Sequence, residues 1–336
     1  MNNFYISVQH TNNLFKKDYI YARTLFNPIL FQNKIGPHGG NSTSKSLNLS
    51  LIKSFSEAIE RRSLMLPTVQ ADKRYKAYDM VTGKSKFLPG NILGYDYFTD
   101  STGTATHINS FKAIEHAVGE LIEKNALLKI WYSFDAKNIS KIGWNPPAQY
   151  KEKTVFILNN FFFPYYVVLA AYKDADNFWH CGLGFSSNNV NTAKKAAFEE
   201  MRLIWFQNEI DKVNPNSPVK FNKDISVYWR WSQSQIDHMD KLISRASKCV
   251  HLNLNSQKIS NIDVLGRLLS QKIQHLYITF IPDSLFNGPF STIRCFSNEL
   301  VSCVAKKDVL LELLNRKSIS FINLTNIKNN VDCPII

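Results

Sequence analysis

The sequence predicts a mixed α/β protein, one large α+β domain spanning residues 1–336. Three observations predict it. Three amphipathic helical segments each follow a turn-forming run, strand-like runs of β-branched and aromatic residues lie between them, and the 12 Pro and 13 Gly are scattered with no low-complexity linker. Apolar residues make up 44 % and charged residues 20 % of the chain, which excludes disordered, collagenous and coiled-coil classes.

The first helix is expected over 44–64, where Leu47, Leu51, Phe55, Ala58 and Ile59 recur at helical spacing behind HGGNSTS. The second is expected over 109–132 behind TGTATHINS, with Phe111, Ile114, Ala117, Val118, Leu121 and Ile122 as its apolar face. The third is expected over 190–206 behind GLGFSSNNVNT, with Ala193, Ala196, Ala197, Met201 and Ile204. TVFIL, YYVVLAAY, LYITFI and SISFINL read as strands. TVFILNNFFFPYYVVLAAYK approaches membrane length, but Asn159, Asn160 and Pro164 break it, so it reads as strand, turn, strand and no membrane span is expected.

Lys plus Arg exceed Asp plus Glu by 40 − 27 = 13, which favours polyanions, phosphorylated ligands or acidic partners. The five cysteines Cys181, Cys249, Cys295, Cys303 and Cys333 form no CxxC, so neither a zinc site nor a disulfide framework is expected. MNNFYISVQHTNNLFKK lacks the pattern of a secretory signal, and a reducing cytoplasm is the expected compartment.

The three helical segments share a register. From Gly40 there are 17 residues to Glu57 and 20 to Glu60; from Gly103 there are 17 to Glu120 and 20 to Glu123; from Gly182 there are 17 to Glu199, with Arg202 at 20. Positions i and i+3 are neighbours on a helix, so each acidic pair presents two carboxylates side by side. Four carboxylates near one another need cations to stay ionised, and magnesium, which shares hard oxygen ligands with phosphates, suits them. Arg61, Arg62 and Lys124 follow directly and could hold phosphate oxygens. A solvated acidic helix face explains the same residues without any site.

SFSEAIER (54–61) fits the pattern SxxExxER, and DSTGTATHINSFKAIEHAVGELIEKNAL (100–127) holds a D-S-x-G-x-A turn leading to a helix with ExxE. With GLGFSSNNVNTAKKAAFEEM (182–201) and YITFIPDSL (277–285), four blocks in order make the chain similar to the YcaO-domain enzymes. The resemblance implies one large domain whose helices bear acidic pairs around a nucleotide cleft. It implies that Glu57, Glu60, Glu120 and Glu123 hold Mg2+, with Glu199 of the third block as a further ligand, and that Ser54, Arg61 and Lys124 lie at ATP. It further implies ATP-dependent phosphorylation of backbone amides in a ribosomally made precursor peptide, forming thiazoline or oxazoline rings by cyclodehydration, or a thioamide or amidine with another nucleophile. A leader-binding partner protein is expected, with a flavin-dependent dehydrogenase as an optional addition, and no nucleic acid. Lys124 stands where the family usually has Arg, Arg202 replaces the second acid of the third block, and the sequence ends in CPII rather than a proline-rich tail, features that also suit a scaffold subunit.

Other chemistry-bearing residues read as structural. Cys181 beside Trp179 and His180 reads as a core thiol; His107 and His116 read as solvated or capping; YWRWSQS (228–234) reads as core and KFNKDISVYWRW as a basic surface without a nucleic-acid motif.

Overall fold

The structure, a computed structural model, describes residues 4–10, 19–27, 30–31, 34–35, 39–64, 70–93, 95, 101–134, 136–143, 154–187, 189–213, 231–248, 259, 261–281, 290–302, 307–316 and 319–335. In chain order the elements are β1 (Phe4–His10), β2 (Ile20–Phe26), β3 (Leu30–Phe31), β4 (Lys34–Ile35), β5 (Gly39–Ser44), α1 (Leu47–Ser63), β6 (Arg74–Asp79), β7 (Lys84–Pro89), β8 (Thr104–His107) and α2 (Ser110–Tyr132). There follow β9 (Ile139–Ile142), β10 (Thr154–Asn159), β11 (Tyr166–Lys173), β12 (Trp179–Ser186), α3 (Val190–Val213), α4 (Gln233–Arg245), β13 (Ser247–Lys248), α5 (Ile262–Leu269), β14 (Tyr277–Ile281), β15 (Ser291–Phe296), α6 (Lys307–Arg316) and α7 (Leu324–Asn329). The class is mixed α+β, as expected; α1 and α2 fall within the segments that periodicity assigned to them, while α3 begins at 190 as expected but runs on to Val213 instead of ending at 206.

One expected strand is corrected. Residues 319–323 of SISFINL are irregular, and Asn323 instead caps α7 by accepting from Thr325 N at 2.8 Å. The segment alternates in composition only: Phe321 packs edge-on to Phe162 at 5.2 Å, an aromatic contact that needs no ladder.

The chain divides into two units, Met1–Leu121 with Ile259–Cys303, and Ile122–Lys258 with Val304–Ile336. The first unit holds an antiparallel sheet of order β1-β2-β5 and a five-stranded sheet of order β7-β6-β14-β15-β8. Helix α1 starts at Ser46, whose side chain accepts from Leu49 N, and lays the small residues Ser50, Ser54 and Ala58 against β2 and β5. Ser50 Oγ donates to Ile20 O at 2.9 Å, and Ser54 Oγ lies 2.8 Å from Thr24 Oγ1, so hydroxyls fill this seam where large apolar groups would not fit.

Gly40 makes that closeness possible. A Cβ there would stand 2.2 Å from Ser54 O and 2.5 Å from Ala58 N, both backbone atoms that cannot swing aside. Gly40→Ala is therefore expected to cost about 1–3 kcal/mol or more, measured by denaturant unfolding; a loss below about 0.5 kcal/mol would contradict the seam. Gly40 and Gly182 lie in strands rather than in the turns expected for them, because strand–helix contact, not turn geometry, selects glycine there. Only Gly103 of the three has a left-handed backbone, with φ +80°.

The second unit is built on a sheet of order β12-β11-β10-β9-β13, antiparallel except for β13 on β9. Gly182 and Gly184 let β12 touch the backbone of α3 at Ala193, Ala197 and Met201. The C-terminal half of α2 is buried on nearly every side, which accounts for its continuous apolar run, and Asn159 Nδ2 ties β10 to it by donating to Ala126 O at 3.1 Å. Trp131 Nε1 donates to Val331 O at 2.9 Å, and Cys333 N donates to the Tyr132 hydroxyl at 3.1 Å. Among the described residues, no helix is long and apolar enough to cross a membrane.

Candidate functional site

In the first unit two helices carry carboxylates whose charges act on one another, and a strand and a turn supply backbone amides to them. Glu57 and Glu60 are one turn apart on α1, and Glu120 lies on α2. Glu57 Oε2 accepts from Asn41 N at 2.6 Å, while its Oε1 pairs with Arg61 Nη2 at 2.5 Å. Glu120 Oε2 accepts from Gly103 N at 3.2 Å. In both copies the helical acid reaches back to a backbone amide of the segment before its own helix, 16 residues earlier for Glu57 and 17 for Glu120.

Glu60 carries the strongest electrostatic signature. Burial pushes its carboxyl well above the usual range, and the charges of Glu120 and Glu57 push it further; Arg61 and a hydrogen bond from Ser101 pull it back. A group in that position favours the proton until a cation replaces it. Carboxylates suit a hard divalent ion such as magnesium. Among the described residues no three His, Cys, Asp or Glu side chains are grouped so as to hold a metal ion, so most coordination positions of an ion here would fall to water and substrate oxygens.

A second carboxylate cluster lies within the other unit. Glu123 on α2 is buried, with Lys124 Nζ 3.7 Å from its Oε1. Burial raises its carboxyl to about 7, Lys124 opposing and the charge of Glu200 adding to the rise. The α3 acid whose charge acts on Glu123 is Glu200, the neighbour of Glu199 singled out by spacing; both are partly buried. Successive helical residues are about 100° apart, so rotation of α3 chooses between them. Arg202 is buried, with its guanidinium carbon 5.9 Å from the Phe198 ring centroid.

Ser54 is enclosed at 0 % exposure, and its hydroxyl bonds Thr24 and Leu51 O. In this arrangement it holds α1 on β2. Arg61, partly exposed, is held by Glu57. Ser101, Glu200 and Arg294 were not singled out by spacing. Ser101 could have been found in the DSTGTA turn, but Arg294 gives no local signal.

The residues read as structural behave so. The Cys181 thiol is buried and pushed well above its usual range by that burial, while His180 lies 2.8 Å from Asp174 Oδ2 and stacks on Trp205 at 4.2 Å. His107 Nδ1 accepts from Asn109 N at 2.9 Å, a capping contact before α2. Trp231 is buried edge-on to Trp131. Residues 220–230 of the basic run and 282–285 of the fourth block lie outside the described residues.

Comparison with solved structures shows that the chain shares the fold of YcaO proteins. The YcaO protein of Methanopyrus kandleri, bound with AMPPCP and Mg2+, matches with a TM-score of 0.63 at 11 % identity, over 89 % of this chain and 86 % of its own. The E. coli microcin synthetase McbBCD complex matches with a TM-score of 0.70 at 14 % identity, over 98 % of this chain and 96 % of that one. A heterocyclase in complex with substrate and cofactor gives 0.61 at 14 % identity, over 96 % of this chain and 54 % of its own. No family model matches the sequence, and no curated protein matches it.

Proposed function

We propose that this protein is an ATP- and magnesium-dependent enzyme that activates backbone amides of a ribosomally made peptide, with ring-forming cyclodehydration as the reaction. The observation that carries the reading is that backbone amides ahead of α1 and α2 hold Glu57 and Glu120 beside Glu60, whose carboxyl burial and these neighbouring charges keep raised, an arrangement that a divalent cation relieves. Glu57, Glu60 and Glu120 are the residues proposed to hold magnesium. Glu123, beside Lys124 and Glu200, offers a second acid–base cluster of the same chemistry. ATP with its metal supplies, when bound, a phosphoryl group that converts a poorly leaving amide oxygen into a good leaving group.

The chain's own contribution is positional. Arg61, held by Glu57, presents a planar cation suited to phosphate oxygens, and Lys124 presents a point charge. The backbone amides of Asn41 and Gly103 hold two of the acids in place before any ligand arrives, so little reorganisation is needed on binding. The net charge of +13 suits a nucleotide and an acidic peptide leader. A neighbour in fold was solved as the McbBCD complex with pro-MccB17 bound, which supports a precursor peptide and a partner protein that captures it here.

The test is incubation of purified protein, candidate leader-binding partner and precursor peptide with ATP and magnesium. Phosphate release that depends on the peptide, with loss of one water from the peptide by mass spectrometry, is the expected result. Phosphate release with sulfur in place of amide oxygen would assign thioamide formation instead. The buried Arg202 at the position of a third-block acid favours a scaffold as second reading, and absence of ATP–magnesium binding by calorimetry would select it.

A further inference from the structure

Arg294 is the largest charged side chain in the fully buried core, at 1 % exposure on β15. A buried guanidinium costs several kcal/mol in desolvation and persists only where acceptors surround it. Three of its acceptors lie in the segment ending at Leu93 and in the turn that leads into β8. Nη1 donates to Thr102 O at 2.8 Å and to Thr104 Oγ1 at 2.8 Å, and Nε donates to Leu93 O at 3.3 Å. The neighbouring Cys295 N donates to Gly103 O at 2.6 Å, and Thr104 N to Ser101 O at 2.8 Å, so residues 101–104 are clamped from both sides.

That same turn holds the acids. Ser101 hydrogen-bonds Glu60, and the Gly103 amide, set by a left-handed backbone, donates to Glu120. We infer that Arg294 is a positioning residue: it fixes the 101–104 turn so that one turn delivers a donor to Glu60 on α1 and another to Glu120 on α2. The separation of 192 residues between Arg294 and Thr102 means that β15 pairing, not local sequence, brings the clamp into place. The inference rests on the proposed magnesium role of those acids.

The experiment compares wild type, Arg294→Lys and Thr104→Val in the full chain, with magnesium titrated into protein and AMPPCP by calorimetry. Circular dichroism and melting temperature report folding. A lysine can serve only part of the three acceptors, so the concentration of magnesium for half-saturation is expected to rise roughly 10-fold or more in Arg294→Lys and several-fold in Thr104→Val. With turnover as readout, the half-saturating magnesium is expected to rise while the peptide KM holds, a split that mere loss of folded protein does not produce. Unchanged magnesium affinity in folded Arg294→Lys overturns the inference. Should that variant fail to fold, unchanged affinity in Thr104→Val overturns it. Absence of magnesium–nucleotide binding by wild type would instead sink the functional reading itself.

Discussion

Glu60→Gln is expected to abolish peptide-dependent phosphate release from ATP, by roughly a hundredfold or more, and at the same time to stabilise the metal-free protein. The two effects have one cause. Burial and the charges of Glu120 and Glu57 raise the Glu60 carboxyl, so its ionisation is unfavourable in the folded chain. The raised group contributes stability that is complete below its unfolded value, near 4.5, and is lost as pH rises through its folded value. An amide keeps the shape and removes that loss, so melting at pH 8 without metal is expected to rise by on the order of 2–4 °C. The amide is also a poorer ligand for a hard cation, so magnesium, which protects wild type, is expected to protect the variant less. Equal turnover in variant and wild type would remove Glu60 from the proposed metal site. Lower activity with lower stability would show instead that the residue matters only for folding.

Glu123 provides the second large effect, and it reads out as pH dependence. Its carboxyl is raised to about 7 by burial, against the pull of Lys124 and with the push of Glu200. The sign follows from the proton: the native state binds it more tightly than the unfolded state, whose value is near 4.5. The stabilising contribution is therefore fully present below about pH 4.5 and is lost as pH climbs through about 7, a difference of about 3 kcal/mol. Denaturant unfolding of metal-free wild type and Glu123→Gln between pH 5 and pH 8 is expected to show wild type losing stability relative to the variant across that window. Parallel curves would mean that the Glu123 carboxylate is better solvated than its buried position on α2 implies.

The neighbourhoods of these two acids show why a pattern on a helix is an incomplete description of a site. Glu57 and Glu60, and Glu120 and Glu123, were legible as pairs because 3.6 residues per turn put i and i+3 on one face. Their partners were not. Asn41 N and Gly103 N act through the main chain, and main-chain donors leave no mark in residue type, while the Ser101 side chain reaches Glu60 only once the turn before β8 is placed. Glu199 and Glu200 are adjacent and chemically identical, so spacing along the chain does not reveal that the charge of Glu200 acts on Glu123.

From the order of residues alone came the mixed α+β class, the spans of α1 and α2, the start of α3, and the identity of the paired acids. All are consequences of local periodicity and composition, which act over a few residues. Tertiary structure alone decided that Ser54 is a packing hydroxyl, that the glycines of β5 and β12 serve close approach, and that SISFINL is no strand. It also decided that Glu60 and Glu123 resist ionisation and that Arg294 clamps a turn 192 residues away. Desolvation and charge repulsion depend on distances between segments remote in the chain, and those distances exist only once the sheets have paired.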